Sequence, residues 1–376
     1  MKKIGRHFRL PAIIIALVGG CVFYAYSRGA QSPGLEERIS KLRAEVNRVP
    51  TGMGNFEERI STLEEWTDEL AARGKLRIPT HMAIYLYTLR TGGFNEQAHG
   101  LAAQAVKILG FVADNAGKTG KLVRTDSSEL VAGEYATITL EYTVGEALIP
   151  RGGGLRVGQL FSANRLNRLQ VADPKGDAWV SFKVISNSAT TEAYPYPWRG
   201  VFSDLFGPTP GPALKVTSGA LKQGDKVIVT LGDRGQGSRG LRMQPRDADD
   251  FRFTLDFDFD GQNTFVPGDF VGVKIRGSEP ASIRAVVPSV VATGESFALR
   301  LAVEDKYFSP ATFAGGVFNV RLNGKAVGEL RVPAGQYVGK LGNLKLEREG
   351  GYKFEVSSAD GKFQPGHAQG FLRALP

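Results

Sequence analysis
The sequence predicts a mainly β protein with an α-helical N-terminal part: a transmembrane anchor, a helical stalk and two immunoglobulin-like β-sandwich domains. Three observations carry that reading. Between Arg9 and Arg28 lie 18 uncharged residues. From residue 35 to 112 apolar residues recur at three- and four-residue steps. From about residue 120 the period becomes two, in short runs separated by Gly- and Pro-rich stretches. The corresponding segments are 1–31 (anchor or signal segment), 32–118 (stalk), 119–278 (first sandwich) and 279–376 (second sandwich).

The uncharged run, Leu10 to Ser27, is just long enough for one membrane-spanning helix. Lys2, Lys3, Arg6 and Arg9 precede it, so the positive-inside rule keeps the N-terminus cytoplasmic and places residues from about 29 onward on the other side. The alternative is a lipoprotein signal, because Leu17-Val18-Gly19-Gly20-Cys21 resembles a cleavage box that would leave Cys21 as a lipidated first residue. The residues after Cys21 stay apolar where a lipoprotein turns polar, which favours the uncleaved anchor. Either route holds the bulk of the chain at the inner membrane on its periplasmic or extracytoplasmic side. Lys2, Lys3, Arg6, Arg9 and Arg28 explain most of the charge. Of the formal +9, only +4 remains beyond residue 28, too little for a nucleic-acid surface. A single Cys excludes an intrachain disulfide framework and a Cys-based zinc site, and four scattered His supply few metal ligands.

In the stalk, Leu35, Ile39, Leu42, Val46 and Val49 form one apolar seam, and Phe56, Ile60, Leu63, Thr67 and Leu70 repeat its spacing. Glu36-Glu37-Arg38-Ile39-Ser40 returns as Glu57-Glu58-Arg59-Ile60-Ser61, a short internal duplication. Pro50, Gly52 and Gly54 divide the run into two helices; Asn55 with Glu58 forms a capping-box start for the second, and Gly74 a stop. The seams either pair chains beside the membrane or pack within the chain, and two heptads per helix fall short of a coiled coil. Two further helical patterns follow, one capped by Thr80 and ended by Gly92-Gly93, the other opened by Asn95. His81 and His99 lie in them without a second ligand at helical spacing.

The β region opens with Ala136, Ile138, Leu140, Tyr142 and Val144 alternating with polar residues. Further strands are readable at 178–185, 226–231, 251–259 and 270–275. A second series begins near 280, with alternation from Phe297 to Val303, a strand at 317–322 running into an Asn323-Gly324 hairpin turn, and a last strand at 352–356. Short strands at such intervals indicate sandwiches, with the boundary at 277–280.

Three ordered segments, 132–158 (AGEYATITLEYTVGEALIPRGGGLRVG), 221–244 (LKQGDKVIVTLGDRGQGSRGLRMQ) and 286–316 (VVPSVVATGESFALRLAVEDKYFSPATFAGG), resemble the N-terminal half of a bacterial family of unknown function. In longer members of that family, such β-domains precede a metal-dependent hydrolase domain of the polymerase-and-histidinol-phosphatase type. The resemblance covers about 120 to 376. The resemblance is to the β-domain half alone: the hydrolase domain of the longer members needs a His-x-His pair and further His and Asp ligands, and His7, His81, His99 and His367 include no such pair, so no hydrolase residue carries over.

Candidate site residues are few. Tyr194, Tyr196, Trp198 and Phe202, stiffened by Pro195 and Pro197 and followed by Arg199, read as a loop whose rings either stack on a ligand or fold over the sandwich edge. Gly235, Gly237 and Gly240 fit G-x-G-x-x-G, but the residues after them read as a strand, not the helix a dinucleotide needs. Arg234 and Arg239 of that loop are left as anion contacts. Asp256, Asp258 and Asp260 imitate the opening of a calcium loop, yet its twelfth position is Pro267. They read instead as the wet face of a strand entering an Asp-Gly turn, with calcium as the alternative and no other cofactor expected. The chain carries no Gly-x-Ser-x-Gly elbow, His-Glu-x-x-His or Walker loop. The expectation is therefore a non-catalytic envelope protein that presents its β-domains to a protein or glycan. The alternatives are the accessory half of a split hydrolase and a structural spacer that oligomerises through residues 35–70.

Overall fold
In the computed structural model of this chain, residues 34–45, 48, 53–77, 79–92, 96–160, 169–198, 209–363 and 365–373 are described. The run 10–27 and Cys21 lie outside them. Among the described residues, no helix is long and apolar enough to cross a membrane.

Among the described residues, four helices come first. α1 (Leu35–Ala44) carries Glu36 and Glu37 in its first turn and Lys41 and Arg43 in its last, the charge order its macrodipole favours. α2 (Met53–Ala72) ends as expected at Gly74, where φ is +67° and the Lys75 N–H returns to the Leu70 carbonyl at 2.8 Å. Its start corrects the capping-box reading, because Asn55 lies inside the helix. α3 (Pro79–Gly92) begins on a proline, whose missing N–H costs nothing in the first turn. α4 (Glu96–Asn115) completes the group.

The described seam residues are spent within the chain. Ile39, Leu42, Phe56, Ile60, Leu63 and Leu70 share one core with Met82, Leu86 and Leu89 of α3 and Ala105 and Leu109 of α4. Trp66, between the expected seam positions, joins them at 2% exposure. Over its described residues the segment read as a helical stalk is a four-helix bundle, in which α3 and α4 supply the apolar partners the first two helices need.

The first β unit pairs two sheets. One is antiparallel, in the order β1 (Gly120–Arg124), β4 (Ile138–Val144), β9 (Lys226–Leu231) and β6 (Val180–Ile185). The other runs β2 (Leu130–Val131), β12 (Phe265–Arg276), β11 (Ala248–Asp258), β5 (Gly154–Leu160), β8 (Thr209–Gly219) and β7 (Ala189–Trp198). The alternating residues Ile138, Leu140, Tyr142 and Val144 of the first sheet and Leu155, Val157, Phe253, Leu255 and Phe257 of the second fill one core between them. A short pair, β3 (Tyr135–Ala136) with β10 (Leu241–Arg242), lies beside them. The outermost strand, β7, sets Pro195 opposite Pro212 and Pro197 opposite Pro210 of β8.

The second unit has the same plan. β13 (Pro280–Val286), β15 (Phe297–Asp305) and β18 (Val338–Leu344) form one sheet. β14 (Val290–Ala292), β20 (Gly366–Arg373), β19 (Gly350–Ser358), β16 (Gly316–Leu322) and β17 (Lys325–Val332) form the other. Leu299, Leu301, Val303, Phe318, Val320, Phe354 and Val356 pack between them. The Asn323-Gly324 turn joins β16 to β17 with φ of +46° and +81°, the left-handed pair that a two-residue hairpin demands.

Two junctions hold the units together. Tyr142, Phe257, Phe259 and Phe111 form a continuous series of rings, with centroids 4.6, 5.4 and 4.3 Å apart, leading from the sandwich core into the helical bundle. Beside it Arg77 pairs with Asp269, whose other oxygen accepts the Leu122 N–H at 2.9 Å. Between the two β units, Tyr307 packs against the backbone of Gly133, where a Cβ would run into the phenol ring. Arg242 reaches both, donating to the Gly133 carbonyl at 3.1 Å and to the Tyr307 hydroxyl at 3.2 Å.

Candidate functional site
Two separately expected groups of residues meet on the outer face of the six-stranded sheet. Strand alternation puts Leu155, Val157, Leu255 and Phe257 into the core, and therefore Arg156 and Asp256 on the opposite face. The register then aligns one row across five strands: Tyr194, Ala213, Arg156, Asp256 and Pro267. Tyr196 lies one pair further along, opposite Gly211.

Arg156 joins the two groups. Its Nη2 bonds Asp256 Oδ2 at 2.6 Å, and its guanidinium lies 4.6 Å from the Phe265 ring centroid and 5.5 Å from that of Tyr196. Tyr196 meets Phe265 edge-on at 4.8 Å and Tyr194 at 6.3 Å. The ion pair is largely desolvated, with side chains 15% and 6% exposed. Asp256 Oδ1 is buried and has no hydrogen-bond partner among the described residues. Small residues make the floor. Gly158, for example, admits Thr254, whose Oγ1 would lie 2.7 Å from a Cβ at that position. Burial, followed by the neighbouring Tyr196 and Asp258, raises the Tyr194 phenol above its ordinary value.

The segment containing Tyr194 and Tyr196 is the edge strand β7 and not a loop, because its prolines fall where an edge strand has no ladder bond to lose. The Trp198 backbone closes that strand, while Arg199 and Phe202 lie outside the described residues.

The aspartates are also corrected. Asp256 and Asp258 are 4% and 1% exposed, not a wet face. They diverge instead of converging on an ion. Asp256 turns to Arg156. Asp258 accepts the N–H of Gly261 at 3.0 Å and of Asn263 at 2.9 Å, shaping a turn in which both of those residues take positive φ. Asp260 accepts the Gln262 N–H at 2.9 Å on the exposed tip. Burial, with the Asp260 side chain adding to it, pushes Asp258 up to about 6. Among the described residues, no group of three or more His, Cys, Asp or Glu is placed to hold a metal ion.

Arg234 and Arg239, expected as anion contacts, are engaged inside the chain. Arg234 donates to the Tyr135 carbonyl at 2.7 Å. Arg239 binds Asp177 through two nitrogens and lies 4.7 Å from the Tyr135 ring centroid. The glycine-rich loop leads into β10 and not into a helix, in keeping with the rejected dinucleotide motif.

Sequence reasoning missed Arg156 and Phe265. A signal for Arg156 was present, since Leu155 and Val157 flank it with strand alternation, but the glycines around them in GGGLRVG made the segment read as loop.

No protein-family model matches the chain. No curated protein matches it either. Among solved structures, it is similar to the CARDB domain of a Pyrococcus furiosus protein in complex with di-metal ions, at 13% identity over 26% of this chain and 97% of that one, with a TM-score of 0.20. Red sea bream transglutaminase matches at 14% identity over 72% of this chain and 34% of that one, TM-score 0.20. The Yersinia pseudotuberculosis adhesin InvE matches at 10% identity over 67% and 58%, TM-score 0.19.

Proposed function
We propose that this protein is a non-catalytic envelope protein, anchored in the inner membrane through residues 10–27, that binds a protein or glycan partner with the outer face of its first β unit. The observation that carries the reading is the cluster of Tyr194, Tyr196, Phe265, Arg156 and Asp256. Aromatic rings beside a preoriented charge pair offer stacking surfaces together with hydrogen-bonding groups, the combination enriched where binding energy concentrates. Both β units are read as immunoglobulin-like sandwiches. The strand order of the second supports this, with β14 parallel to β20 at the margin of a five-stranded sheet that faces a three-stranded one.

The test is a pull-down from detergent-solubilised membranes with the intact protein and with the Tyr194→Ala, Tyr196→Ala double variant, read by mass spectrometry at moderate salt. A stoichiometric partner retained by the native protein and lost by the variant supports the reading. A partner retained equally by both places binding elsewhere. A partner carrying a His-x-His hydrolase domain would instead establish the accessory role.

A further inference from the structure
A second site, independent of the outer face, lies where the helical bundle meets the first β unit. There a cleft of about 330 Å³ opens between α1 and α4 on one side and the β11–β12 hairpin tip on the other. That volume falls within the range of small-molecule sites, and junctions between structural units are common places for them. Four charged groups line it: Arg43, Lys107, Asp114 and Asp260. Its apolar floor is the stacked pair of Phe111 and Phe259, 4.3 Å apart and 16° from parallel.

The charges are arranged for exchange. Arg43 also lies over Trp66, whose ring centroid is 5.0 Å from the guanidinium, a contact separate from its carboxylate partner. That partner, Asp114, is 62% exposed and bonds Arg43 at 3.2 and 3.3 Å, long for a charged pair, so a ligand carboxylate displaces it at little cost. Burial alone would raise Asp260. The Asp258 side chain, hydrogen bonds from the Gln262 N–H and Thr264, and the charge of Lys107 hold it below its ordinary value. Gly110 in α4 faces the cleft, and a Cβ there would lie 3.7 Å from the Arg43 guanidinium, ordinary contact that leaves the space open.

Two cations and two carboxylates around an apolar floor match neither a bare anion nor a bare cation. They match a ligand that carries one charge of each sign on an apolar body. We propose that this cleft binds a small zwitterion with an apolar side chain, an α-amino acid or a short peptide with both termini free. Its carboxylate lies on Arg43 and Lys107, its ammonium on Asp260 and Asp114, and its side chain on Phe111 and Phe259.

Titration calorimetry on the full chain in detergent micelles tests this, with L-phenylalanine and L-leucyl-L-leucine as probes. Saturable binding of one or both is expected, and the tighter probe identifies the free amino acid or the peptide as the source. N-acetylation or C-terminal amidation of that probe is expected to weaken it at least about tenfold. Lys107→Gln, at an exposed position, is expected to weaken binding, and Gly110→Leu to abolish it by filling the cleft, with circular dichroism confirming that both variants are folded. No saturable heat from either zwitterion, blocked probes that bind as tightly as free ones, or unchanged binding in Gly110→Leu would each overturn the proposal.

Discussion

Arg156 pairs with Asp256 and lies against the rings of Phe265 and Tyr196, and each contact constrains what its loss would do. Removing the guanidinium leaves the buried Asp256 carboxylate without its counter-charge and strips a cation from two ring faces. Arg156→Ala is expected to destabilise the chain by about 3–5 kcal/mol, measured by urea unfolding. Replacing both partners by apolar residues of similar volume should recover most of that loss, because a buried pair is costly chiefly when halved. Asp258 gives a pH test of known sign. Its folded value, about 6, stands above the ordinary value of 3.8, so the native state holds this proton more tightly than the unfolded chain. Through this group stability falls as pH rises from about 4 to about 6, and the cost of the ionised carboxylate is fully present above that window. The native protein should therefore gain thermal stability relative to Asp258→Asn when the pH is lowered from 7 to 4. A margin over Asp258→Asn that stays constant across that range would show Asp258 to be an ordinary carboxylate, and a margin that shrinks on acidification would show its folded value to be lowered. The chemistry-bearing residues themselves were legible in the sequence, since Tyr194, Tyr196 and Asp256 stood out by type and spacing. Their meeting was not, because it depends on a register across β7, β8, β5 and β11 that no local pattern encodes.

At the scale of elements, legibility followed periodicity. The alternation of β4, β9, β15 and β16 gave strands close to those observed, and Asn323-Gly324 fixed its hairpin by turn chemistry alone. β5 and β7 were hidden by glycine and proline, residues that mark loops in most contexts and here serve a floor and an edge. In β11 the Phe and Asp residues alternate as in a half-exposed strand, yet both faces are buried between Phe253 and Asp258. Amphipathicity reveals which residues share a face, and not what covers the polar one. The helices show the converse. Their seams were readable, and the choice of partner was decided by α3 and α4. Leu42, 6% exposed in the bundle core, tests that choice. Leu42→Asp is expected to cost about 3–5 kcal/mol through an unpaired buried charge and to lower the helical signal, with association unchanged in sedimentation. A loss of association at constant helicity would instead place the seam between chains.

For the whole molecule, Phe259 is a residue shared by two cores, since it packs against both the sandwich cluster and the helical one. Truncating it interrupts the ring series between Phe257 and Phe111. Phe259→Ala is expected to lower stability by about 3 kcal/mol and to split calorimetric unfolding into two transitions, helical bundle first. A single sharp transition would show that Arg77–Asp269 and its neighbours suffice to couple the units. No sequence pattern announced this coupling, because Phe259 is one aromatic among 22 phenylalanines and its role is set by position alone. The facing prolines at the edge of the six-stranded sheet act on the same scale. Because Pro195 faces Pro212 and Pro197 faces Pro210, their ring nitrogens fall where neither strand donates to the other, which leaves the outer margin of β7 without two successive donors. A strand from a neighbouring copy would find those ladder bonds absent there. Copies of the chain that meet at this margin are thereby hindered from joining into a shared, aggregating sheet.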